Sequence, residues 1–104
     1  MNIVNVKSKK PYDLYIGRAN KGYGLQDSIF RNPYVIGVDG TREEVIKKFE
    51  KYAAQNPKIL DNLWLIDGMT LGCWCDYPKE DCHGRVLHEL REHQLLLAKT
   101  IHST

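Results

Sequence analysis

Met69-Thr70-Leu71-Gly72-Cys73-Trp74-Cys75 is the stretch on which the fold turns. It comes after the turn signal Asp67-Gly68, and alternate residues of an extended chain share a face. Met69, Leu71, Cys73 and Cys75 therefore line one side of a strand, and Thr70, Gly72 and Trp74 the other. An acidic loop containing Pro78 then leads to Cys82-His83-Gly84 and a helical pattern running to about Lys99. Val86, Leu87, Leu90, Leu97 and Ile101 form the apolar stripe of that helix. His88 and His93 fall off the stripe and are expected in solvent. A strand feeding a helix is half of an α/β unit.

The rest of the chain repeats the alternation. Ile3 to Val6 reads as one strand and Tyr12 to Ile16 as another, with Pro11 just before it, where a missing backbone donor does least harm. Thr41-Arg42-Glu43-Glu44 is a capping box, with Thr41 as N-cap and Glu44 three residues on. It opens a helix whose stripe is Val45, Ile46, Phe49, Tyr52 and Ala53. Asn56-Pro57 ends that helix and caps a shorter one through Leu65. Residues 17–33 are punctuated by glycine, asparagine and proline, yet hold Tyr23, Leu25, Ile29 and Phe30. A loop so long and so apolar reads as functional rather than disordered. The expectation is a small single α/β domain over residues 1–104. It has a three- to four-stranded, partly parallel sheet packed against two to three helices, and a frayed tail over 99–104.

Composition narrows the class. The chain has 104 residues, a formal charge of +2, and 42% apolar and 27% charged residues, as expected for one globular domain. It holds no apolar run long enough for a transmembrane helix. Its first residues alternate apolar and polar instead of reading as a secretion signal, so a cytoplasmic location is expected. Three cysteines, an odd number, argue against a disulfide framework. From Lys7 to Arg31 the basic residues Lys7, Lys9, Lys10, Arg18, Lys21 and Arg31 outweigh Asp13 and Asp27.

All three cysteines and one histidine fall within eleven residues, Cys73 to His83. Cys73 and Cys75 point the same way from a strand. His83, Leu87 and Leu90 lie at i, i+4 and i+7, which turns His83 toward the buried face. Cys73, Cys75, Cys82 and His83 together would make a Cys3His zinc site. Zinc knuckles commonly space their cysteines by two to four residues, and here the first pair is Cys-x-Cys. Neighbours on a helix also point about 100° apart, so Cys82 and His83 share one ion only if the helix start is irregular. The same atoms permit catalysis. Cys82 at a helix N-terminus, or else Cys73 or Cys75, would be the nucleophile, and His83 or a histidine brought in by the fold its base. A third reading makes the cysteines small core hydrophobes.

Arg18, Asn20 and Lys21 supply donors suited to a phosphate or carboxylate, and Tyr23, Phe30 and Tyr34 supply rings that would stack on a base; Asn32 and Trp74, the latter as readily core or lid, complete the candidate ligand-binding set. The bland alternative is a surface loop whose aromatics cover the sheet. In parallel sheets, ligands gather beyond the carboxyl ends of strands. Arg18 lies just past the second strand, Cys75 ends the third, and Cys82 and His83 open the last helix, so parallel strands would bring them to one edge.

Five segments carry a resemblance. They are Tyr15-Ile16-Gly17-Arg18, Asn32-Pro33-Tyr34 with Ile36-Gly37, Asp39 to Glu44, Gly72-Cys73-Trp74-Cys75, and Cys82-His83-Gly84. With them, over about residues 3–92, the chain resembles an uncharacterised domain family of bacteria and their phages. It departs from that family in an insertion, Tyr23 to Arg31, between Lys21 and Asn32. The family has no settled activity, so the resemblance implies where a site lies and not what it does. The combined expectation is a small phage or bacterial binding protein. Its Cys3His zinc centre would sit beside a basic loop for a nucleotide or nucleic acid. One alternative is a cysteine-dependent enzyme acting on nucleotides or nucleic-acid bases. Another is a phage factor that binds a host protein or sequesters a signalling nucleotide.

Overall fold

Three short strands place the site. The structure, a computed structural model, describes residues 2–102, with side chains as far as Lys99. Strands β1 (Asn2–Asn5), β2 (Leu14–Tyr15) and β3 (Thr70–Cys73) form a sheet in the order β1-β3-β2. Both outer strands run parallel to β3, with Ile3 and Leu14 each opposite Leu71. The sheet is thus parallel throughout, and all three carboxyl ends meet at one edge.

Parallel neighbours need crossover connections. From β2 to β3 the chain passes through α1 (Arg42–Ala54), α2 (Pro57–Leu60) and a 3-10 turn at Leu63–Ile66. From β1 to β2 it uses only the short link Val6–Asp13, whose Tyr12 ring lies against β3 at Gly72. A Cβ on Gly72 would stand 2.7 Å from a carbon of that ring, so glycine permits the crossing. Asp13 then ties the link to the start of β3. Its N–H donates to the Thr70 carbonyl and the Thr70 N–H donates to its carboxylate, each at 2.8 Å.

The core lies between the sheet and the two long helices. Ile3, Leu71 and Cys73 meet Val45, Ile46, Phe49 and Ala53 of α1 and Val86 and Leu87 of α3 (His83–His102). Phe30, from the long loop, is buried in this core and so is not free to stack on a base. The α1 capping box forms as expected: the Glu44 N–H donates to Thr41 Oγ1 at 3.3 Å and the Thr41 N–H to Glu44 Oε1 at 3.1 Å. Gly84 lets the first turn of α3 press on the sheet, since a Cβ there would be 2.8 Å from Ile3 Cδ1 and 3.0 Å from Ile16 Cδ1. At the other side, Arg91 forks onto the Asp67 carboxylate at 2.7 and 2.9 Å, fixing α3 to the turn before β3.

Several expectations are corrected. Leu97 is 51% exposed, because the buried part of α3 ends near Leu90 and the helix outruns the layer beneath it. The segment after Pro57 is not one helix to Leu65. It breaks at Asp61, where the chain turns into the 3-10 segment. His88 is half-buried instead of solvated. Its Nε2 has no hydrogen-bond partner among the described residues, and burial holds its pKa below the ordinary histidine value. His93 is exposed as expected. The α3 backbone continues through His102, while the side chain of Ile101 and the tail residues Ser103 and Thr104 lie outside the described residues. No helix among the described residues is long and apolar enough to cross a membrane.

Candidate metal centre and adjoining cavity

The end of β3 delivers Cys73, and the approach to α3 delivers Cys82 and His83. Cys82 precedes the first helical residue and so escapes the regular helical offset that would separate it from His83. All three side chains are buried, Cys82 completely. Cys73 Sγ lies 3.5 Å from Cys82 Sγ and 3.7 Å from His83 Nδ1. The three ligand atoms stand within 4.8 Å of one another. A tetrahedral zinc with ordinary bond lengths would space two sulfurs by about 3.7 Å and a sulfur and a nitrogen by about 3.5 Å. The residues therefore fit such an ion with little movement. The sulfur separation also exceeds the roughly 2 Å of a disulfide, and all three cysteines are free thiols.

His83 is held in the tautomer a metal needs. Its Nε2 lies 2.8 Å from the Ile16 carbonyl, which only accepts, so Nε2 carries the proton and Nδ1 presents its lone pair to Cys73. Burial pushes the imidazole below its ordinary pKa, against the upward pull of the Ile16 carbonyl, and so favours the neutral ring. The Phe49 ring meets it edge-on at 5.1 Å and closes its other side.

Cys75 sits just past β3, half-buried, 3.8 Å from Cys73 Sγ but outside the tight group of three. Arg42, the first residue of α1, donates from Nη1 to Cys75 Sγ at 3.1 Å and to the Asp81 carbonyl at 3.2 Å. Its Nη2 pairs with Glu80 at 3.1 Å. Hydrogen bonds from Cys73 and Cys82, and then the Arg42 cation, draw the Cys75 thiol far below the usual thiol range. The same sharing pushes Cys73 and Cys82 up, since one thiolate served by two thiols resists a second charge.

Beside this cluster opens a cavity of about 190 Å³ whose wall includes Cys73, Cys75 and His83. Of the ligand-binding candidates, Arg18, Asn32, Tyr34 and Trp74 line it. Of the residues expected to converge at the carboxyl edge, Arg18, Cys75 and His83 share this wall, and Cys82 lies behind it against Cys73. Arg18 is exposed, and its guanidinium has no hydrogen-bond or ion-pair partner among the described residues. The Asn32 amide is committed to the protein, donating to the Val45 carbonyl at 3.2 Å and accepting from the Tyr34 N–H at 2.9 Å. It ties the loop to α1. Trp74 Nε1 donates to the Tyr15 hydroxyl at 2.7 Å, which donates in turn to the Arg18 carbonyl at 2.5 Å. Asn20 and Lys21 are not in the cavity wall. Asn20 pairs with Leu25 through two backbone hydrogen bonds of 2.8 and 2.9 Å, and Lys21 opens an exposed 3-10 turn.

Two participants escaped the sequence reading. Arg42 stood in the capping-box motif, where its position explained it fully as a helix opening. Its reach to Cys75 spans 33 residues of chain and leaves no periodic trace. The Ile16 carbonyl is a backbone atom, so no residue type announces it. The only prior signal for either was that both belong to segments carrying the family resemblance.

Comparison with known proteins agrees with the resemblance to a domain family without an assigned function. Over an alignment of 86 positions that takes in 75% of this chain, it is 36% identical to the uncharacterized protein R718 of Acanthamoeba polyphaga mimivirus. The match spans 65% of that viral protein's length. No solved structure matches the chain. A profile for a domain of unknown function matches residues 4–93, taking in the end of β1, all of β2 and β3, the cavity and every residue of the cysteine–histidine cluster. The chain belongs to that family, domain of unknown function DUF4326.

Proposed function

We propose that this protein holds a zinc ion between Cys73, Cys82 and His83, with Cys75 closing the coordination, and that the adjoining cavity binds a small phosphate-bearing ligand. The observation that carries the metal is the spacing of the three buried ligand atoms, 3.5 and 3.7 Å from Cys73 Sγ, around a histidine already oriented by Ile16. Thiolate and imidazole ligands in a tetrahedral arrangement favour zinc among the common divalent metals. The Gly84 N–H, 3.4 Å from Cys82 Sγ, and Arg42 at Cys75 are the donors that metal-bound thiolates attract.

The cavity supports the second half of the reading. Arg18 is an uncommitted cation at its rim, and Val35, Ile36, Val45 and Ile46 give it an apolar wall. At about 190 Å³ it is smaller than the roughly 300–1,000 Å³ of drug-sized sites, which suits one phosphate with a compact group attached. Elemental analysis of protein purified without a metal-affinity tag tests the centre. About one zinc per chain with thiols masked from a native titrant is the expected result. Metal-free protein with three freely titrating thiols would overturn it.

A second reading is favoured by the Arg42–Cys75 contact: a Cys75 thiolate in the cavity wall would serve as a nucleophile. It predicts that Cys75 alkylates with iodoacetamide at a rate already at its plateau near neutral pH, and that Arg42→Ala moves the plateau toward the ordinary thiol range of about 8.5. Alkylation no faster than that of free cysteine at neutral pH removes this reading.

A further inference from the structure

The parallel sheet order has a second consequence at the same edge. β3 is central, so Trp74, the residue after it, stands between the segments that leave β1 and β2. After β1 come Lys7 and Lys9, in a turn that reverses at Lys9 with φ 61°. After β2 come Arg18 and the exposed 3-10 turn Lys21–Tyr23. The edge is therefore an aromatic centre flanked on both sides by cations.

The side-chain contacts agree with this placement. The Tyr23 and Trp74 rings meet edge-on with centroids 5.0 Å apart, and Lys7 Nζ stands 6.0 Å from the Trp74 ring. Tyr23 is 54% exposed, and the Trp74 ring is fixed by its bond to Tyr15. The ion pairs among the described residues all use Arg42, Arg85 or Arg91, so Lys7, Lys9, Arg18 and Lys21 have no carboxylate partner there. The nearby acids are occupied: Asp76 accepts from the Asn5 amide at 2.8 Å and Asp27 from the Ala19 N–H at 2.6 Å.

We infer that this edge binds single-stranded nucleic acid, with bases stacking on Tyr23 and Trp74 and phosphates tracking Lys7, Lys9, Arg18 and Lys21. An exposed ring beside a half-buried one, flanked by cations without carboxylate partners, suits a single strand, since every base offers a face and every nucleotide a charge. A duplex hides its base faces and gains nothing from the rings. The inference shares Arg18 and Trp74 with the cavity of the proposed function and extends that reading along the edge, and it needs neither the metal nor an occupied cavity.

Fluorescence anisotropy with a labelled oligothymidylate of about a dozen nucleotides, within the usual span of single-strand sites, tests it. The wild-type chain should bind the strand more tightly than thymidine monophosphate and more tightly than a duplex of the same length. Tyr23→Ala should weaken binding about tenfold. Lys7→Ala combined with Lys21→Ala should flatten the log–log salt dependence by roughly 1.4, at about 0.7 per lost phosphate contact. Lys7, Lys21 and Tyr23 lie outside the proposed metal ligands, and unchanged melting curves confirm that the variants fold. The inference falls if the oligonucleotide does not bind, if it binds no better than the monophosphate or the duplex, or if neither variant changes its binding.

Discussion

Cys73→Ser should empty the metal centre and lower the melting temperature by more than about 10 °C. Serine oxygen is a poor zinc ligand beside thiolate, and the binding energy of a structural metal is folding energy. For a domain of this size each kcal/mol is worth about 4–8 °C, so loss of even a few kcal/mol reaches that figure. Cys73 is the right position to remove because it touches the whole cluster, at 3.5 Å from Cys82, 3.8 Å from Cys75 and 3.7 Å from His83. Should the variant fail to fold at all, the wild-type protein supplies the same test. A strong chelator should lower its melting temperature by a similar amount, and added zinc should restore it. A chelated protein that melts where the untreated one does would refute a structural metal.

Phe49→Ala should cost about 3–5 kcal/mol, the usual range for deleting a buried ring. Phe49 is fully buried on the inner face of α1 and packs on both Tyr52 and His83, with centroids 6.0 and 5.1 Å away. Against a total stability of about 5–15 kcal/mol, the loss approaches global unfolding. It also removes the wall that holds the His83 imidazole, so zinc should be bound more weakly than the loss of fold alone dictates. Urea unfolding with and without excess zinc separates the two effects. A loss below about 1 kcal/mol would show that the ring does not close this core.

Phe49 and Cys73 differ in how far the chain alone reveals them. The α1 stripe that contains Phe49 is legible, because Val45, Ile46, Phe49 and Ala53 recur at helical spacing behind a capping box. Both are properties of neighbours in sequence. The cluster around Cys73 is legible as a candidate for the same reason: Cys73, Cys75, Cys82 and His83 lie close along the chain. Its arrangement is not. The expected obstacle, adjacent Cys82 and His83 pointing apart, disappears because α3 begins one residue later than expected. The Leu97 error is of the opposite kind. Periodicity identifies the apolar face of a helix but not how far the layer beneath it extends.

By itself, then, the sequence determined the alternation of strands and helices, the caps, and the segment that holds the reactive side chains, since each is written in local spacing. The tertiary structure alone decided that the strands are all parallel, that Gly72 and Gly84 let Tyr12 and α3 approach the sheet, and that Arg42 and the Ile16 carbonyl reach the cluster. Those contacts join residues far apart in the chain. Their geometry comes from close packing across the sheet, which no local period encodes.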